Sequence, residues 1–234
     1  MINFPSKEKY DARDLCTIVE LLRGEGGCPW DRVQTHETLR RNLLEECDEL
    51  CEAIDRADPA MMLEELGDVW LQVIFHASIE RQAGRFDLSD VADAECRKLI
   101  SRHPHVFGDV QVSGTEQELQ AWEELKRREK HQKTAADAMD GVCRTLPGLW
   151  RAEKIQKKGE ISPTAEEIAK ALGADARALA EAFTSPEKGK DALGELLFTA
   201  VCAARRLGLD PEEALHARCE QEIRTFRERE AEIK

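Results

Sequence analysis

Residues 35–82 read THETLRRNLLEECDELCEAIDRADPAMMLEELGDVWLQVIFHASIERQ, and this stretch decides the fold. Leu39, Leu43, Cys47, Leu50 and Ile54 fall at three- and four-residue steps, the period of one apolar stripe on a helix from about Thr35 to Arg56. Asp58-Pro59 breaks that helix. Pro59 suits the first turn of the next one, where a missing N–H costs nothing. The second helix is predicted over Pro59–Gln82; it is apolar on most sides from Val69 to Ile79 and therefore central, and Gly84 stops it.

Outward from this pair, helical signals continue. Asp87-Leu-Ser-Asp90 offers N-caps for a helix to about Arg102, which His103-Pro104 ends, leaving His103 and His105 in a loop. Residues 115–133 read as a very polar helix carrying Trp122. Strand signals are almost absent, with one Tyr and no alternating Val/Ile run bounded by turns. The second half repeats the plan. Glu65-Leu-Gly-Asp-Val-Trp-Leu recurs as Ala192-Leu-Gly-Glu-Leu-Leu-Phe, and Gly84-Arg-Phe-Asp87 has a looser counterpart in Leu207-Gly-Leu-Asp210. A Cys follows each Asp at the same distance, Cys96 and Cys219. Two amphipathic helices resemble one another by default, but the shared Leu-Gly-acid core and matched spacing favour duplication. The expected domains are residues 1–134 and 135–234, divided near Ala135–Leu146.

At 234 residues the chain is long enough for one large or two small domains. Hydrophobic residues make up 41% and charged residues 35%, enough for a core beneath much exposed helix surface. No apolar run approaches the about 20 residues that span a bilayer, and the N-terminus lacks the apolar segment of an export signal. The eight cysteines are scattered with no CxxC pair, so buried, reduced thiols and a cytoplasmic location are expected. The net charge of −13 argues against nucleic-acid binding, which requires a basic surface. A phosphate-bearing substrate would need cations to reconcile it with this protein.

The two helices supply the means. Glu45, Glu46 and Glu49 project from adjacent positions on the first, and Glu65 and Asp68 are spaced in the same way on the second. Antiparallel pairing would face five carboxylates toward one another, where like charges repel unless a cation sits between them. Mg2+ is the usual hard cation beside phosphates, with Mn2+ a second candidate. A solvated acidic face would explain any single Glu, but explains the set less well, because Asp68 leads directly into the apolar run. Lys98 and Arg102, one turn apart, and Lys126, one turn after Trp122, are candidates to hold phosphoryl oxygens; Trp122 or Trp30 could stack on a base. There is no P-loop sequence.

At these residues the chain closely resembles the MazG family of all-α nucleoside triphosphate pyrophosphohydrolases. The shared features are Glu-Glu-x-x-Glu over Glu45, Glu46 and Glu49, then Glu-x-x-Asp over Glu65 and Asp68. Gly27-Cys-Pro-Trp-Asp31 with Gln34-Thr35, Arg102-His-Pro-His-Val-Phe107 and Trp122-Glu-x-x-Lys126-x-x-Glu129 are alike as well. The resemblance implies an all-α fold of tandem MazG-like helical domains, four-helix-type bundles completed by homodimerisation. It implies hydrolysis of an NTP or dNTP to the monophosphate and pyrophosphate, a nucleotide-pool house-cleaning reaction. Glu46, Glu49, Glu65 and Asp68 would ligate the metal, with Glu45 a lesser ligand or water-positioning base. Lys98, Arg102, Trp122, Lys126 and Trp30 would contact the nucleotide. The metal would shield the triphosphate, polarise the α-phosphorus and acidify the attacking water.

The second half departs from the pattern. Ala192 and Glu195 stand opposite Glu65 and Asp68; Ala174, Asp175 and Ala178 align with Glu45, Glu46 and Glu49; Gln221 and Thr225 replace Lys98 and Arg102. It is a degenerate repeat whose Leu193, Leu196, Leu197, Val201, Leu207 and Leu215 keep the apolar pattern of a packed fold. Two rivals are weaker. A ferritin-like di-iron protein needs Glu-x-x-His on two helices, and only Glu213–His216 fits. A catalytically dead binding or scaffolding protein would not need the intact acid set.

Overall fold

Thr35 caps a helix, α3 (His36–Asp55), in a box with Thr38, and the chain turns at Ala57 into α4 (Pro59–Gln82), capped by Asp58 with Pro59 in its first turn. The computed structural model containing this hairpin describes residues 4–109, 114, 122, 129 and 132–232. Every element among them is helical and none is a strand.

The chain divides into two units, Met1–Val112 and Ser113–Lys234. The expected division at residues 134 and 135 falls within the second, and most of residues 113–131 lie outside the described set. The first unit adds α1 (Ala12–Arg23), the short α2 (Pro29–Arg32), α5 (Leu88–Arg102) and the helical turn α6 (Pro104–Phe107) to the hairpin. Helix α1 starts from a box between Asp11 and Asp14, and α5 from one between Asp87 and Asp90. The core gathers Val19 of α1, Leu39 of α3 and Ile74 and Phe75 of α4, with Leu15, Cys16, Leu71, Ile79 and Leu88 against them. Burying this stripe holds α4 centrally, because α1, α3 and α5 all pack on it.

The second unit contains α7 (Ala135–Asp140), α8 (Gly148–Lys158), α9 (Ala165–Glu181), a 3-10 turn over Ala182–Thr184, α10 (Pro186–Leu207) and α11 (Pro211–Glu232). Helices α9 and α10 form its hairpin, as α3 and α4 do in the first unit. Gly208 ends α10 at φ 70°, a left-handed conformation that a Cβ disfavours. Its interior is partly polar: Gln156 is fully buried, donating to the Phe198 carbonyl at 2.8 Å and accepting from Arg205 at 3.3 Å.

Three sequence expectations need correction. The segment expected as a loop around His103 and His105 forms α6, started by Pro104, with His103 Nδ1 2.6 Å from the Leu99 carbonyl. All eight cysteines are free, but only Cys202 is buried; Cys51, Cys96 and Cys219 are exposed on outward faces of their helices, and Cys143 is exposed in the connection between α7 and α8. In the second unit Val201 is buried, whereas Leu193, Leu197, Leu207 and Leu215 are exposed in the single chain. An apolar period identifies a helical face without saying whether the same chain covers it.

Candidate active site

Antiparallel pairing of α3 and α4 sets a polar seam inside an otherwise apolar contact. On α4 the seam is Glu65, Asp68, Gln72, His76 and Glu80, at steps of three and four residues, which keeps them on one side of the helix. Opposite stand Glu49, Glu46 and, at the start of α3, His36. One carboxylate oxygen from each of Glu46, Glu49 and Glu65 lies within 4.8 Å of the others. Glu65 is 8% exposed and Glu46 half-buried, whereas Glu49 is open to solvent.

The electrostatics fit this crowding. Burial, then Asp68, then Glu49 push the Glu46 carboxyl above its ordinary value, and the Gln72 side chain opposes them by donating a hydrogen bond to it. Burial, then Glu49, Glu64, Asp68 and Glu46, push Glu65 up as well. Asp68 therefore belongs to the same field. Glu45 is held differently: its Oε1 accepts from Arg41 Nε at 2.7 Å on the exposed side of α3. An all-oxygen, multiply anionic set of this kind matches a hard divalent cation such as Mg2+.

The remaining expected residues are more dispersed. Lys98 lies on α5, paired with Glu95 of its own helix, and Arg102 is half-buried one turn on. Trp30 is 59% exposed in α2, with its carbonyl accepting from Gln34 at 2.9 Å. Trp122 is helical and half-buried, and Lys126 lies outside the described residues. The segment that follows Trp30 is anchored by Arg23, which is buried and donates to the carbonyls of Asp31 (2.6 Å) and Gln34 (3.4 Å) and to Gln82 Oε1 (3.0 Å). Before Trp30, Gly27 lets the chain pass close to the end of α1, since a Cβ there would meet the Leu21 and Leu22 carbonyl oxygens at 2.3 Å.

Sequence reasoning missed Gln72, His36, His76 and Glu80. The signal was available: extending the Glu65–Asp68 spacing along α4 reaches each α4 member in turn. A groove of about 470 Å³ between α1, α4 and α5 is lined by Trp70, Ile74, Ala77, Cys16 and Leu88 and by none of the five acids. It occupies a different stripe of α4, and chemistry rather than size assigns the candidate site to the acids.

Comparison with known proteins identifies the family. Residues 34–107, from Gln34 through α6, match the MazG nucleotide pyrophosphohydrolase domain. The chain is 38% identical over 223 residues to the nucleoside triphosphate pyrophosphohydrolase of Escherichia coli K12, covering 92% of this chain and 85% of that one. It is 40% identical over 221 residues to the nucleoside triphosphate pyrophosphohydrolase/pyrophosphatase MazG of Thermotoga maritima, covering 93% and 84%. A Mycolicibacterium smegmatis nucleoside triphosphate pyrophosphohydrolase is 44% identical over 144 residues, 61% of this chain and 44% of its own. A helical chain with paired acidic helices and identity of this extent belongs to the MazG family of nucleoside triphosphate pyrophosphohydrolases, enzymes that hydrolyse phosphorus anhydrides.

Proposed function

We propose that the N-terminal domain, residues 1–134, hydrolyses an NTP or dNTP between the α- and β-phosphorus. Water oxygen bonds to the α-phosphorus, the bridging P–O bond breaks, and nucleoside monophosphate and pyrophosphate leave. The observation that carries this reading is the approach of Glu46, Glu49 and Glu65 within 4.8 Å. Carboxylates this close in an already acidic protein make sense around a cation.

Glu46, Glu49, Glu65 and Asp68 would hold Mg2+, or Mn2+ in its place. Bound there, the cation would neutralise the polyphosphate and acidify water. The chain's own residues do the rest. The acids fix the cation at the α3–α4 seam, with Glu45 at its edge as a lesser ligand or water-positioning base. Lys98 and Arg102 on α5, which packs on α4, would take phosphoryl oxygens as charge-assisted donors. Trp122, Lys126 and Trp30 would contact the nucleotide. The biological role in keeping with this reaction is house-cleaning of the nucleotide pool.

Residues 135–234, the larger part of the second unit, are read as a degenerate repeat. Supporting this, Thr199 of α10 donates to Asp175 of α9 at 2.7 Å, a link between hairpin helices like that of Gln72 to Glu46. A homodimer is proposed on the apolar stripe Leu63, Leu66, Trp70 and Val73 of α4, all at least two-fifths exposed in the single chain. A panel of NTPs and dNTPs with Mg2+, scored for monophosphate and pyrophosphate, tests the reaction. Nucleoside diphosphate and orthophosphate as main products would refute it.

A further inference from the structure

Gln72 stands one turn beyond Asp68 on α4 and is 6% exposed within the most apolar part of that helix. Its amide carries donors and acceptor on adjacent atoms, about 2.2 Å apart. Glu46 decides which way the amide sits. An ionised carboxylate only accepts, so the nitrogen must face it, and Gln72 donates to Glu46 accordingly. The flipped amide would set oxygen against oxygen. As a consequence Gln72 Oε1 is buried with no hydrogen-bond partner among the described residues. Buried acceptors are nearly always paired, so this one calls for a donor.

The neighbouring acids cannot supply it. Glu46, Glu49, Glu65 and Asp68 are all acceptors when ionised. The second unit offers a contrast: Thr199 closes on Asp175 at 2.7 Å, and neither side chain keeps a buried polar atom without a partner. The hydroxyl satisfies its acid and stops there. Gln72 satisfies its acid and still carries a buried, unpartnered oxygen on the same amide that binds Glu46.

We propose that Gln72 is a positioning residue of the active site: its Nε2–H holds Glu46 in the orientation that ligates the divalent cation, and its Oε1 receives a hydrogen bond from a water of the cation's hydration shell. This rests on the metal-site reading above. Mg2+ and Mn2+ retain waters when protein carboxylates fill only some positions, and such waters are strong donors. A neutral amide oxygen takes no proton near neutral pH. Gln72 therefore orients the water, and proton acceptance stays with the carboxylates.

The test measures Mn2+ binding to the full chain without nucleotide, by calorimetry and by the paramagnetic resonance signal of free Mn2+, in wild type, Gln72→Met and Glu49→Gln. Gln72→Met keeps length and removes both polar atoms. Its metal-free thermal midpoint should equal or exceed that of wild type, since an unpartnered acceptor has gone, while Mn2+ affinity falls about tenfold or more. With nucleotide present, kcat should fall and KM change little. Gln72→Asn, which retains the chemistry but withdraws it, should lower affinity in the same direction and serves if methionine disturbs packing. Mn2+ affinity and kcat both within about twofold of wild type in the Gln72 variants, with binding lost in Glu49→Gln, would overturn the role of Gln72 alone. Unchanged Mn2+ binding in Glu49→Gln would overturn the metal reading and this proposal with it.

Discussion

His36 and His76 stack across α3 and α4, their rings 8° from parallel with centroids 5.0 Å apart, and their Nδ1 atoms lie 2.7 Å from each other. Only one of those nitrogens can carry the proton between them. His36 Nε2 faces Glu80 Oε1 at 2.5 Å and donates to it, and Arg85 grips the same carboxylate from its other side. His36 Nδ1 is then the acceptor and His76 Nδ1–H the donor. His76 Nε2 is left buried and without a partner among the described residues. The seam that ends at the acid cluster is thus pinned at its other end by a chain of four side chains.

That chain gives the protein a pH dependence of known sign. Burial, and then His36, push His76 below its ordinary value, so the unfolded chain binds its proton more readily than the native one. Stability contributed this way is present above the unfolded value, about 6.5, and is lost as pH falls below it. Glu80, held at about 2 mainly by Arg85 and then His36, stays ionised throughout that range, and its contribution goes only as pH falls toward 2. Urea unfolding of wild type should weaken between pH 7 and 5, and His76→Phe, which keeps the stack, should flatten the slope. Equal slopes in both proteins would show that His76 does not set it.

The acid cluster has the opposite sign. Glu46 and Glu65 have raised values, so without metal their stability is greatest at low pH and is lost as pH rises through the native values. Glu46→Gln should therefore raise the metal-free thermal midpoint by a few degrees at pH 7.5. In the same variant, and in Asp68→Asn, turnover should fall about 10²-fold or more, because a cation ligand is gone. Near-normal rates at moderate Mg2+ would remove that residue from the ligand set.

Much of this was legible from residues 35–107 alone. The caps Thr35, Asp58 and Asp87 and the breaker Pro59 act locally, so the sequence places α3, α4 and α5 to within a residue. Antiparallel pairing then brings the acids together. Gln72 and His76 escaped notice because a polar residue inside an apolar run looks like noise until a partner helix is set against it. The exposures of Cys51 and Leu197 were beyond reach for another reason: both satisfy the helical period, and what covers a face is tertiary or quaternary.

Lys98 tests how substrate is held. It pairs with Glu95 in the single chain, and a triphosphate would compete for the ammonium with far greater charge. Lys98→Ala should lower kcat/KM about 10²-fold or more while Mn2+ binding in the absence of nucleotide stays as in wild type. A variant that lost metal binding as well would place Lys98 among the groups that build the cluster.

The final prediction separates the work of the two units. Glu195 is exposed on α10, and the positions aligned with Glu45, Glu49 and Glu65 hold Ala174, Ala178 and Ala192. Asp175 is committed to Thr199. A lone carboxylate gives Mg2+ too few ligands, so this half should turn over no substrate of its own. In the full chain Glu195→Ala should match wild type in both rate and stability. Asp175→Ala breaks a half-buried hydrogen bond and should destabilise the protein by about 1 kcal/mol with kcat unchanged. Glu46→Gln with an intact second unit should lose the same about 10²-fold or more as Glu46→Gln combined with Glu195→Ala. Activity that survived Glu46→Gln and vanished on adding Glu195→Ala, with helicity preserved, would move a working site into the second repeat.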